Sequence, residues 1–239
     1  MEKTIGLFRA IQPEWLNKTA ELVIQGKSCV EIKDLLEEYL SFEIESPINR
    51  GKTRALLVNI WGNPDYTSPV VHEKAVEAFD NERSDKIALS WALFILAHPL
   101  FAGICVLVGK ITAVQDTFTT GWIKSKVSEN HGERPTLLRA VAGVLETMRC
   151  LGVIEHVKSG TYRAKRYNIK DEQTITVLLL SLLAQEQKAF YEITELSNIP
   201  QFFPFEFNVT MEWLHHSTDF MLENVGGKTV LTGFNDNAC

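Results

Sequence analysis

Among 239 residues there are only four cysteines, Cys29, Cys105, Cys150 and Cys239, and no two are close enough to form a CxxC pair. No cysteine–histidine spacing suits zinc either. The wide separation of the cysteines favours reduced thiols and a cytoplasmic location over a disulfide framework. No HExxH and no GxSxG occurs, so neither a zinc-protease helix nor a nucleophile elbow is present. Gly-Lys-Thr appears at Gly51-Lys52-Thr53 and Gly227-Lys228-Thr229. A phosphate-binding P-loop also needs glycine five positions before the second Gly, and Ser46 and Leu222 stand there. The one histidine pair, His215-His216, is adjacent in sequence. On a helix these side chains point about 100° apart, which suits a surface better than a shared metal. The carboxylates fall in no recognisable acid–base arrangement. Neither enzyme activity nor a cofactor nor a metal is expected. The N-terminus, Met1 to Arg9, lacks the apolar core of a signal peptide, and none is expected. Internal repeats and low-complexity segments are absent too.

A charge-free stretch is the other conspicuous gap. Between Lys86 and Lys110 no residue is charged, and Ile87 to Gly109 is long and apolar enough to raise a membrane span. His98-Pro99 falls in its middle, where proline breaks a helix, and Ser90 and Gly103 dilute it. Two buried core helices of about a dozen residues each are the preferred reading, with a single membrane span as the alternative.

The remainder is ordinary globular material, 45% hydrophobic and 23% charged, with a net charge of −6. Nucleic-acid binding would need a local basic patch. Helical periodicity and punctuation predict a mainly α chain: a helical bundle with an embedded winged helix-turn-helix and a small C-terminal β-hairpin. Three regions are expected, residues 1–82, 83–170 and 171–239. Pro13 opens the first helix, which ends at Gly26. Ser28 caps the second. A third runs from Ser46-Pro47 to Ile60-Trp61, and His72 to Phe79 makes a short fourth. Asp171 to Lys188 reads as an apolar helix and Val209 to Glu223 as another. Val225-Gly226-Gly227-Lys228 reads as the turn of the terminal hairpin.

From Thr119 to Ile169 the order is helix, turn, helix and a basic hairpin. The first helix spans Thr120 to Ser128, capped by Thr119 or Thr120, with Lys124 and Lys126 on it. The turn is Glu129-Asn130-His131-Gly132. The second helix begins near Pro135 and repeats apolar residues at Leu137, Val141, Val144 and Met148, stopping at Gly152. Its outer face is expected to hold Thr136, Arg139, Ala140 and Gly143, with Arg139 as the side chain able to grip guanine or phosphate in bidentate fashion. The hairpin adds Lys158, Arg163, Lys165, Arg166 and Lys170, with no acid among them. Alternation puts Arg163 and Lys165 on one face and Arg166 on the other, suited to phosphate contacts. Tyr162 and Tyr167 could pack or touch sugar. A second basic patch, Arg50, Lys52 and Arg54, has Arg50 and Arg54 on one helix face. Such modules also serve as interaction or dimerisation domains, and lysine on an edge strand protects against aggregation. A scaffold anchored by Phe202-Phe203-Pro204-Phe205 is therefore the competing reading.

Ala20-Glu21-Leu22-Val23-Ile24-Gln25-Gly26, the Lys52-Thr53-Arg54 helix ending in Ile60-Trp61, the apolar middle and the Leu138 to Glu155 helix-plus-wing together resemble the A component of the BREX phage-exclusion systems. The likeness covers roughly residues 12–185. It implies a small, all-helical, non-catalytic bacterial protein that binds double-stranded DNA beside other defence-system proteins, with a homo-oligomer open and no membrane role. No catalytic residue is carried over.

Overall fold

Seven of the eight prolines start a helical element in this computed structural model, which describes residues 9–234. Proline suits the first turn because its φ is preset and its missing N–H would have had no partner there. Five open α-helices: α1 (Pro13–Ile24), α3 (Pro47–Leu57), α4 (Pro69–Phe79), α6 (Pro99–Thr112) and α8 (Pro135–Cys150). Two more open 3-10 turns at Pro64–Tyr66 and Pro200–Phe202. Other helices begin on a side-chain cap. Ser28 and Glu31 form a capping box at α2 (Cys29–Ser41), and Asp85 accepts from the Ala88 N–H at α5 (Lys86–Ala97). Thr119 caps α7 (Thr120–His131), and Asp171 caps α9 (Glu172–Leu183).

The result is mainly α, with small sheets. Buried residues from Ile11 to Leu231 join one hydrophobic cluster, drawn from all three expected regions of the sequence. α5 and α6 meet at His98-Pro99 with a bend of 118°. Among the described residues no single helix is long and apolar enough to cross a membrane; only this bent pair passes when its halves are joined. Every α5 residue from Ala88 to Ala97 is buried, because α5 packs against α4, α6 and α9. The Trp91 indole donates to the Gln201 carbonyl at 2.9 Å, and its ring meets Phe101, Phe203 and Phe205 edge-on.

Several expected boundaries move. The third helix yields to a π-helical turn at Val58–Gly62. Its Trp61 carbonyl accepts from His72 Nε2 at 2.6 Å. Within Val209 to Glu223, only α11 (Met211–His216) is helical, and it is capped by Thr210. The rest enters strand β7 (Phe220–Val225), which pairs antiparallel with β8 (Lys228–Phe234). Gly226 and Gly227 turn between them at positive φ. β5 (Tyr191–Glu192), followed directly by α10 (Ile193–Leu196), adds to the other edge of β8.

Candidate nucleic-acid interface

α6, the short strand β1 (Thr117–Thr119), α7, α8, β2 (Ile154–Lys158) and β3 (Thr161–Ala164) form a helix–sheet module. Its three strands lie in the order β1-β3-β2, all antiparallel. β1 leads straight into the Thr119 cap, so the sheet fixes where α7 starts. α7 extends to His131, past the expected end at Ser128, and the turn to α8 falls at Gly132 to Arg134. Gly132 has φ +73, and Gly152, after α8, has φ +76. Both are conformations that glycine adopts without strain.

One face of the sheet packs inward. Phe118 and Tyr162 stack with centroids 5.8 Å apart, and His156 meets Tyr162 edge-on. The opposite face presents Arg163 with Thr117 and Glu155 as cross-strand neighbours.

The sequence places more free positive charge here than the structure does. Glu155 lies just outside the acid-free run and faces into it. It accepts from Arg163 at 3.1 Å and has Lys165 Nζ at 3.8 Å. Lys126 pairs with Glu129 at 2.8 Å, and that contact lowers the Glu129 carboxyl pKa. The second strand also breaks after Ala164. Tyr167–Asn168 is a separate strand, β4, that runs parallel to β6 (Phe205–Glu206). Arg166, between the two, is exposed, but its guanidinium donates to the Phe203 and Thr112 carbonyls and so also ties the fold. Tyr167 donates to the Gly152 carbonyl at 2.7 Å. Lys124, Lys158 and Arg139 make no ion pair among the described residues, and Lys158 and Arg139 are exposed.

The outer face of α8 also differs from expectation. Thr136 and Arg139 are exposed, but Ala140 and Gly143 are buried. One turn on, Thr147 is buried too, and its Oγ1 accepts from the Ile11 N–H of the chain before α1 at 3.1 Å. The exposed or part-exposed stripe is Pro135, Leu138, Arg139, Ala142, Glu146 and Arg149. Glu146 and Arg149 pair at 3.0 Å.

The second basic patch divides. Arg50 and Arg54 both bind Glu37, at 2.8 and 3.0 Å, and tie α3 to α2. Lys52 turns the other way, into a cleft whose far side carries Thr136 and Arg139 of α8. The patch thus adjoins the second helix of the module.

Phe202, Phe203 and Phe205 are buried against Trp91 and its neighbours, so they are not exposed as a scaffold anchor. His215 and His216 are exposed. Among the described residues no group of three or more His, Cys, Asp or Glu is placed to hold a metal ion. Cys29, Cys105 and Cys150 are free thiols, and burial pushes the Cys105 pKa up. Cys239 and residues 1–8 lie outside the described residues. Comparison with protein-family models, curated proteins and solved structures finds no match.

Proposed function

We propose that the chain is a non-catalytic DNA-binding protein whose α6–β3 module is a winged helix-turn-helix, with α8 as the recognition helix and the β2–β3 turn as the wing. The observation that carries this reading is the strand order β1-β3-β2 around two consecutive helices. The strand before the first helix pairs with the last strand, so α8 and the Lys158-Ser159-Gly160 turn belong to one rigid unit. A helix held that way enters a major groove with its N-terminal residues near base edges, and a wing beside it reaches phosphates. Arg139 and Thr136 supply the groove contacts. Lys158 and Lys124 supply phosphate contacts, with Arg163 and Lys165 available once Glu155 is displaced.

The likeness to the BREX A component extends the proposal to a cytoplasmic role in bacterial anti-phage defence, beside other proteins of such a system. The burial of α5 supports a protein that stays in the supernatant after high-speed centrifugation without detergent.

Fluorescence anisotropy with labelled duplex DNA at low salt tests the reading. Arg139→Glu and Lys158→Glu are expected to weaken binding by about tenfold or more each, since a groove contact in the first and a phosphate contact in the second are replaced by repulsion. Absence of duplex binding at low salt, or full affinity in both variants, would overturn it.

A further inference from the structure

We propose that the cleft between α3 and α8 binds the phosphate group of a small phosphorylated molecule. The cleft encloses about 550 Å³, within the size range of small-ligand sites. Arg9, Lys52 and Arg139 converge on it from the chain before α1, from α3 and from α8. No acid lines it, and none of these three cations makes an ion pair among the described residues. In a chain of net charge −6, three unneutralised cations around one acid-free hollow form a strong local attraction for an anion.

The interior of the cleft adds a second, independent sign. Thr53 is 1% exposed, lines the cleft, and its hydroxyl has no hydrogen-bond partner among the described residues. A buried hydroxyl left in that state is unfavourable, and a ligand oxygen would complete it. The Asn49 and Asn59 side chains add further polar groups to the lining. Thr136, in the first turn of α8, belongs to the same wall, and no side chain caps that helix. Its leading N–H groups and the positive end of its dipole favour an anion there.

Charge and depth select among anions. A phosphate monoester carries close to two negative charges at neutral pH and three acceptor oxygens, which three cations and a hydroxyl match better than they match a carboxylate. A backbone phosphate on the rigid face of a duplex would not reach a hydroxyl as deeply buried as that of Thr53. Ala55 and Leu56 on the rim offer apolar contact to the organic part of the ligand.

The test is isothermal titration calorimetry of the full chain at low salt and without DNA, so that it is read separately from duplex binding. Inorganic phosphate, adenosine 5′-monophosphate and adenosine are the three probes. Both phosphates should bind, and adenosine should not. Lys52→Ala and Arg139→Ala should each weaken phosphate binding by about tenfold or more. Thr53→Val should weaken it as well while leaving the melting temperature unchanged or higher, because the valine removes an unpaired buried hydroxyl. Failure of both phosphates to bind at millimolar concentration would overturn the proposal, as would equal binding of adenosine and its monophosphate. Unchanged phosphate affinity in Lys52→Ala and Arg139→Ala would do the same. If Lys52→Ala weakened duplex binding while neither phosphate probe bound, the cleft would belong to DNA phosphates and the small-molecule assignment would fall.

Discussion

Single carboxylates and imidazoles decide much of the chemistry on this surface. Glu155 holds Arg163 and has Lys165 close by, so two cations that a count of wing charges treats as free are partly neutralised. Exposed pairs of this kind contribute about 0–1 kcal/mol, and removing one leaves the fold intact. Glu155→Gln should therefore raise duplex affinity by about threefold through release of both cations, with an unchanged melting temperature; anisotropy and thermal melts read the two effects. His72 illustrates a different balance. Burial lowers its pKa below the ordinary 6.5, the hydrogen bond to the Trp61 carbonyl opposing this in part. The folded state thus binds the proton less readily than the unfolded chain, so stability is fully present above about 6.5 and declines as pH falls towards the lower folded value. Thermal melts between pH 7.5 and pH 5 should show that decline, and His72→Gln should flatten it; a wild-type melting temperature that rose on acidification would contradict the sign.

At the scale of elements, punctuation was the legible part. The starts at Pro13, Pro47 and Pro135, the Ser28 cap, the break at His98-Pro99 and the stop at Gly152 all fall where local chemistry puts them, because caps and fixed φ act within one turn, whereas the fourth helix begins at Pro69, three residues before the expected His72. The order α7, α8, β2, β3 was legible for the same reason. Contacts between distant segments were not. Ala140 and Gly143 read as a face cleared for a groove wall, yet both are buried, and Thr147 further along α8 bonds the distant segment at Ile11. Likewise Tyr162 to Ile169 has the composition of one strand, but Arg166 leaves it to reach Phe203. Gly109 shows such a distant contact at its tightest. A Cβ there would lie 1.9 Å from the Pro200 carbonyl oxygen, and backbone on both sides leaves nothing flexible to move. Gly109→Ala should cost about 3 kcal/mol or more in a denaturant titration, whereas Gly103→Ala, with open space around it, should cost little.

For the molecule as a whole, the charge balance limits how DNA binding can behave. With a net charge of −6, attraction comes only from cations that no carboxylate has claimed. On the proposed interface these are Lys124, Arg139 and Lys158. With Arg139 in the groove, the two phosphate contacts of Lys124 and Lys158 give a log–log salt slope of about −1.8, from −0.9 per phosphate. Adding Arg163 and Lys165 makes four contacts, so a measured slope of about −3.6 would mean that both leave Glu155 on binding. The apolar stretch also belongs to this scale: α5 is covered by α4, α6 and α9, contacts that no window of hydropathy can register.

The ties between Tyr167 and Pro204, Ile169 and Glu206, and Trp91 and Gln201 all run from an early donor to an acceptor made later in the chain. Synthesis proceeds from the N-terminus, and folding follows it. A nascent chain that has delivered α5 and the module but not yet residue 206 holds three N–H groups without their final acceptors. The α5 core and the segment after β3 therefore reach their finished hydrogen bonding only after residues 201–206 have left the ribosome.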